Sequence, residues 1–166
     1  LVTGGGTGLG LAMATRFAEL GATLILCGRR QGVLDEAART IGAGTETHSL
    51  DLRDALAVDA MMARIFETGP LDVLVNNAAA NFIETLSPRA MDAVLNITLH
   101  GPMYCSMAAG RRWIEAKRPG VILSIVATYA WHGSPYVVPS AAAKAGVLAM
   151  TRSLAAEWGR HGIRAN

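Results

Sequence analysis

Three groups of residues in this sequence have types and spacings that can do chemistry. The run TGGGTGLG, Thr3 to Gly10, stands between an apolar strand-like opening and a helical stretch. Glycines let the backbone approach a pyrophosphate, and a helix start offers unpaired N–H groups with the positive end of its dipole. Gly4, Gly5, Gly6, Thr7, Gly8, Leu9 and Gly10 are therefore candidate dinucleotide-binding residues. The second group is LILCGRRQ, where the strand ends in Gly28 and continues with Arg29 and Arg30. An acid at that strand end would hold a ribose 2′-hydroxyl and repel a 2′-phosphate, whereas guanidinium groups pair with the phosphate. The pair favours NADPH, with two solvated arginines as the plain alternative. The third group is Tyr129, at the end of another apolar run, and Lys144, fifteen residues later in the helical stretch VVPSAAAKAG, Val137 to Gly146. His48, His100, His132 and His161 have neither metal-ligand spacing nor a nucleophile partner, so no metal is expected.

These residues need a scaffold, and the chain alternates strand and helix signals throughout. Helical periodicity runs from Leu11 to Leu20, and ATLILCGR is an apolar run of strand length. VLDEAARTI is a helix, THSLDL a strand, AVDAMMARIFET a helix, and LDVLVNNAA a strand ending in turn residues. From Ser87 to Ala116 one long helix is expected, broken near Gly101-Pro102. GVILSIVAT reads as a buried strand, and Pro139 to Gly162 as a strong helix. Near-continuous apolar strands alternating with helices imply a parallel sheet with right-handed crossovers. The expected fold is α/β, a Rossmann-type doubly wound sheet in three layers, with residues 1–166 as a single domain. Leu1-Val2-Thr3 opens within a strand and Ile163-Arg164-Ala165-Asn166 begins another, so the domain is expected to be incomplete at both ends.

Composition narrows the functions. Hydrophobic residues make up 51% and charged residues 17%, which suits a sheet covered on both faces. A net charge of +2 is too weak to argue for nucleic acid or a membrane surface. No apolar run reaches the roughly 18 residues of a membrane span. Cys27 and Cys105 form no disulfide framework, so a cytoplasmic location is the default, or an organellar matrix in a eukaryote.

The motifs together resemble the short-chain dehydrogenase/reductase family along the whole chain. The spacing of Gly4, Gly8 and Gly10 is the family's, and NNAA, Asn76 to Ala79, is similar to its Asn-Asn-Ala-Gly with Ala79 for glycine. The resemblance implies a cofactor-lining role for Asn77 and an adenine contact for Asp51, which also fits a loop-capping aspartate. The family's usual catalytic set is missing. Its tyrosine position is Ser140, four residues before Lys144; its serine position is Ala127; its asparagine position, three before Gly101, is Thr98. GGGTGLG, NNAAANF, LSP, SIVATYA and GSPYVVPSAAAKAGVLAM resemble the NADPH-dependent 2,4-dienoyl-CoA reductase branch. Ala80, where that branch often has glycine, is a small departure.

That resemblance implies Tyr129, Asn81 and Lys144 as the catalytic residues, with Lys144 also binding the nicotinamide ribose. It implies acyl-CoA contacts for Arg53, Asn81, Phe82, Ser87 and Tyr129. Arg53 also fits a helix-start charge, and Ser87 before Pro88 fits an N-cap. The chemistry accounts for the moved tyrosine. A ketone takes hydride at the carbonyl carbon, so its acid sits against that oxygen. A 2,4-dienoyl thioester takes hydride at Cδ, and charge runs along the chain to a distant thioester oxygen, so its donors are displaced too. Two alternatives stand beside this: a family reductase of another enone or carbonyl, and a protein that binds NADPH without turnover. The alanine-rich stretch Ser140 to Trp158 suits close packing into a homotetramer or dimer.

Overall fold

The computed structural model describes residues 1–80 and 87–166. Among these residues six strands form one sheet: β1 (Val2–Thr3), β2 (Ile25–Gly28), β3 (Glu46–Ser49), β4 (Val73–Asn76), β5 (Gly120–Ser124) and β6 (Ile163–Ala165). Their order is β3-β2-β1-β4-β5-β6 and every pairing is parallel. The helices are α1 (Gly8–Glu19), α2 (Gln31–Ile41), α3 (Ala55–Thr68), α4 (Pro88–Leu95), α5 (Gly101–Glu115), α6 (Tyr129–His132) and α7 (Val138–Trp158). The doubly wound Rossmann-type sheet expected from the sequence is present.

Successive strand residues point to opposite faces, and both faces are covered. Val2, Leu26 and Val75 pack with Ala14 of α1 and with Leu34 and Ala37 of α2. Their neighbours Cys27 and Leu74, with Ile122, pack on the other face against Met62 and Ile65 of α3, Trp113 of α5 and Leu154 of α7. Double coverage is why the strands read as unbroken apolar runs. Strand order reverses between β1 and β4, and in open parallel sheets ligands bind at the carboxyl edge of such a switch.

Two elements differ from the sequence expectation. The long helix is not broken at Gly101-Pro102; a π-turn over Asn96–His100 joins α4 to α5 instead. Pro102 falls in the first turn of α5, where its missing N–H costs little. Its ring would press on the carbonyl four residues back, that of Thr98, and the wider π-turn relieves this. The fifth strand stops at Ser124 rather than Thr128, so Tyr129 opens the short helix α6. The amides of Ser124 and Ile125 still pair with the carbonyls of Asn166 and Asn76. Asn76 is the last residue of β4, so on that side the next residues have no ladder to join.

Candidate active site

A cleft of about 340 Å³ lies over the β1–β4 switch. Gly4, Gly6, Thr7, Leu9 and Gly10 line its floor, Arg29, Arg30 and Asp51 one wall, and Asn77 to Ala80 the other. α1 begins inside the glycine run at Gly8, whose φ of +55° suits glycine alone. Thr7 makes no side-chain cap and the first turn holds no acid, which leaves that helix end electropositive and open to an anion. A Cβ at Gly10 would stand 2.3 Å from the Gly4 carbonyl oxygen and 2.6 Å from Asn77 Nδ2. Gly5 does not line the cleft; a Cβ there would meet Leu26 Cδ2 at 2.7 Å, so it serves the packing below.

The two loops at the switch are tied together. Thr3 Oγ1 accepts from the amides of Asn77 and Ala78, each at 3.0 Å. Asn77 Nδ2 donates back to the Thr3 carbonyl at 3.0 Å. Asn77 thus holds the glycine loop from β4 while bordering the cleft, which gives that side of the motif a mechanical reason.

Arg29 and Arg30 are exposed at the start of α2, whose first turn carries no acid. Neither takes part in the salt bridges among the described residues. Ser49 Oγ donates to the Arg29 carbonyl at 3.1 Å and fixes that backbone. Asp51 grips Arg53: Nε lies 2.9 Å from Oδ2 and Nη2 lies 2.6 Å from the same oxygen. Hydrogen bonding to Arg53 holds the Asp51 carboxyl below its usual range. Arg53 therefore faces the cleft's acidic residue rather than standing free. Ser87 caps α4, its Oγ accepting from Ala90 N at 3.1 Å. Asn81 and Phe82 lie outside the described residues.

Tyr129 and Lys144 converge through a residue whose part was not legible in the sequence. The Tyr129 hydroxyl and Ser140 Oγ are 2.9 Å apart, and Ser140 is only 2% exposed. Ser140 and Lys144 are one helical turn apart on α7 and share its buried face. Lys144 is 6% exposed and donates from Nζ to the Ile125 carbonyl. Burial pushes its pKa below that of a free lysine. A phenol, a hydroxyl and a buried ammonium thus lie at one carboxyl end of the sheet. The four-residue spacing of Ser140 and Lys144 on α7 marks a shared face, but the approach of Tyr129 from α6 leaves no mark in the sequence. Thr98 was also missed as a participant: it is fully buried, and its hydroxyl bonds both the amide and the carbonyl of Ala80.

The fold and cleft define a doubly wound α/β domain with a ligand cleft at its topological switch point. The short chain dehydrogenase family model matches residues 1–166, and the chain belongs to that family. It is 46% identical over 174 residues to a probable 2,4-dienoyl-CoA reductase, (2E)-enoyl-CoA-producing, of Bacillus subtilis, covering all of this chain and 68% of that protein. It is 44% identical over 176 residues to a probable 2,4-dienoyl-CoA reductase, (3E)-enoyl-CoA-producing, of Caenorhabditis elegans; there it spans all of this chain and 57% of the relative's length. A crystal structure of a short chain dehydrogenase from Bacillus anthracis superposes with a TM-score of 0.96 at 48% identity, over 99% of this chain and 72% of that one. A metagenomic short-chain oxidoreductase in complex with NADP matches with a TM-score of 0.91 at 30% identity, over 98% and 77%. No helix among the described residues is long and apolar enough to cross a membrane.

Proposed function

We propose that the protein carrying this chain is an NADPH-dependent reductase of 2,4-dienoyl-CoA thioesters. The observation that carries the proposal is the Tyr129–Ser140 hydrogen bond. It brings a phenol to the very turn of α7 whose usual family tyrosine is absent, beside Lys144. The names of the Bacillus subtilis and Caenorhabditis elegans relatives support the same substrate class.

The residues present fit a dinucleotide phosphate. Gly10 leaves a cradle that a Cβ would fill, the α1 terminus is open to the diphosphate, and Arg29 and Arg30 are free to take a 2′-phosphate. Asp51 and Asn77 border the remaining cleft, and Lys144 would hold the nicotinamide ribose. NADPH held by these residues would supply the hydride for Cδ of the dienoyl chain. Tyr129 then donates a hydrogen bond to the thioester oxygen, where the electron pair accumulates, and Asn81 supplies a second donor. Ser140 can donate to the phenol oxygen while the phenol proton faces substrate. The buried Lys144 ammonium adds a fixed positive charge. Protonation of the dienolate at carbon, from Tyr129 or water, completes the reduction. Arg53, Phe82 and Ser87 are proposed to meet the acyl-CoA, with Arg53 leaving its Asp51 contact to do so.

Exposed Ala142, Ala149, Ser153 and Ala156 follow one face of α7 at helical spacing. That small-residue stripe supports a dimer or tetramer, which sedimentation of the natural polypeptide would reveal. The function is tested by NADPH oxidation with hexa-2,4-dienoyl-CoA and with a 3-ketoacyl-CoA. Much faster turnover of the dienoyl substrate is expected. Preference for the ketoacyl substrate would sink the proposal.

A further inference from the structure

Two buried side-chain atoms where β4 and β5 end have no protein partner among the described residues: Asn76 Oδ1 and Ser124 Oγ. Asn76 is the last residue of β4 and Ser124 the last of β5, and the two are register partners in the parallel ladder. Leu74 and Ile122, two residues back along each strand, pack on the face covered by α3, α5 and α7. Side chains alternate along a strand, so Asn76 and Ser124 point to that same face. Ser106 of α5 meets Asn76 there, its Oγ accepting from Asn76 Nδ2 at 2.9 Å. The Ser106 hydroxyl proton is a further donor at this place. Asn76 is 2% exposed, Ser106 0% and Ser124 7%, and none of the three lines the cleft.

We propose that Asn76, Ser106 and Ser124 form a binding site for one buried water, which bridges the carboxyl ends of β4 and β5. A polar atom taken out of solvent loses its bonds to water, and leaving it unpaired is costly enough that native proteins almost always supply a partner. The chemistry of the site selects water. An amide oxygen and two hydroxyls carry no charge to hold an ion. A water donates to Asn76 Oδ1 and accepts from Ser124 or Ser106, which meets the two to four polar partners that an internal water needs. The dimensions agree. Neighbouring strands lie about 4.8 Å apart. Two hydrogen bonds of about 2.8 Å, set at a water's angle, span roughly 4.5 Å.

The position gives the bridge a consequence. Asn77, the next residue after Asn76, holds the glycine loop, and the carbonyl of Ile125, next after Ser124, takes the Lys144 ammonium. The Ile125 amide bonds the Asn76 carbonyl at 2.9 Å. The water therefore joins the two strand ends from which the cleft wall and the Lys144 anchor continue. This site goes beyond the reductase reading and stands whatever the substrate is.

The test uses the natural polypeptide. A high-resolution crystal structure should show one density peak within roughly 2.6–3.2 Å of both Asn76 Oδ1 and Ser124 Oγ. No peak there, with those atoms turned onto protein groups, would overturn the proposal. Hydrogen exchange at the Ile125 amide reads the bridge in solution. Ser124→Ala removes one of the water's partners and should speed that exchange at least about fivefold. The Leu50 amide, bonded to the Gly28 carbonyl at 2.9 Å on the other side of the sheet, is the control and should stay within about twofold. Should Ser124→Ala fail to fold, Ser106→Ala makes the same comparison from α5. Unchanged exchange at Ile125, or equal acceleration at both amides, would overturn the bridge.

Discussion

The half of the molecule around β1, α1 and β2 and the half around β5, α6 and α7 build their sites in different ways. In the first half the site is mostly backbone: a glycine run, a helix terminus and amides held by Thr3 and Asn77. In the second it is side chains from separate elements, Tyr129 on α6 with Ser140 and Lys144 on α7. A backbone site is bound to its local sequence, because only a fixed pattern of glycines permits the approach. A side-chain site is bound only to a place in space, so another element can deliver the same group. The contrast accounts for a glycine motif that keeps the family's form while, in the proposed site, the acting tyrosine stands eleven residues from the family's usual position.

Mutations in the two halves can break or sharpen that contrast. The largest effect is expected for Tyr129→Phe, which keeps the ring and removes the hydroxyl. Loss of one oxyanion donor typically costs about 10²–10³ in kcat. Steady-state kinetics with hexa-2,4-dienoyl-CoA should show that drop with little change in NADPH binding. A healthy Tyr129→Phe enzyme would return the acid to some other residue.

In the backbone-built half, Gly10→Ala adds a single methyl. Its Cβ would lie 2.3 Å from the Gly4 carbonyl oxygen, and backbone must move to admit it. Overpacking costs about 1–3 kcal/mol, so NADPH affinity should weaken roughly fivefold to over a hundredfold by titration. Normal affinity would mean that the glycine cradle is not where the cofactor lies.

Arg29→Asp should then invert cofactor choice. A charge-assisted hydrogen bond is worth about 1.5–3 kcal/mol, and losing it should weaken NADPH by roughly tenfold to a hundredfold while NADH gains. Equal wild-type affinity for the two cofactors would make the arginine pair ordinary surface. The smallest effect is expected for Ser140→Ala. Its bond to Tyr129 is neutral and worth about 0.5–1.5 kcal/mol, so kcat should fall roughly twofold to tenfold. A dead Ser140→Ala enzyme would place the acid on α7 after all.

The same contrast governs what could be read from the chain. Sheet class, the glycine loop and the arginines follow from short patterns, since apolar runs and glycines act through nearest neighbours. The reach of β5 did not, because strand length depends on where the neighbouring β4 stops offering partners. The π-turn was hidden as well: the sequence shows Pro102 as a disturbance but not which turn absorbs it. Ser140 looked like a lost tyrosine. Only the three-dimensional approach of α6 to α7 reveals its hydroxyl as the partner of Tyr129. Thr98 likewise gains meaning only when Ala80 is seen against it.

The decisive measurement is the fate of the hydride. NADPH deuterated at both positions of nicotinamide C4 would be turned over with hexa-2,4-dienoyl-CoA by the natural polypeptide, and the product examined by NMR. Deuterium at Cδ of an enoyl thioester is expected, because under the proposed mechanism Tyr129 and Asn81 serve an oxygen remote from the carbon that is reduced. Deuterium on a carbon bearing a new hydroxyl, or label transferred only to ketone substrates, would contradict the displaced catalytic centre and leave an ordinary carbonyl reductase in its place.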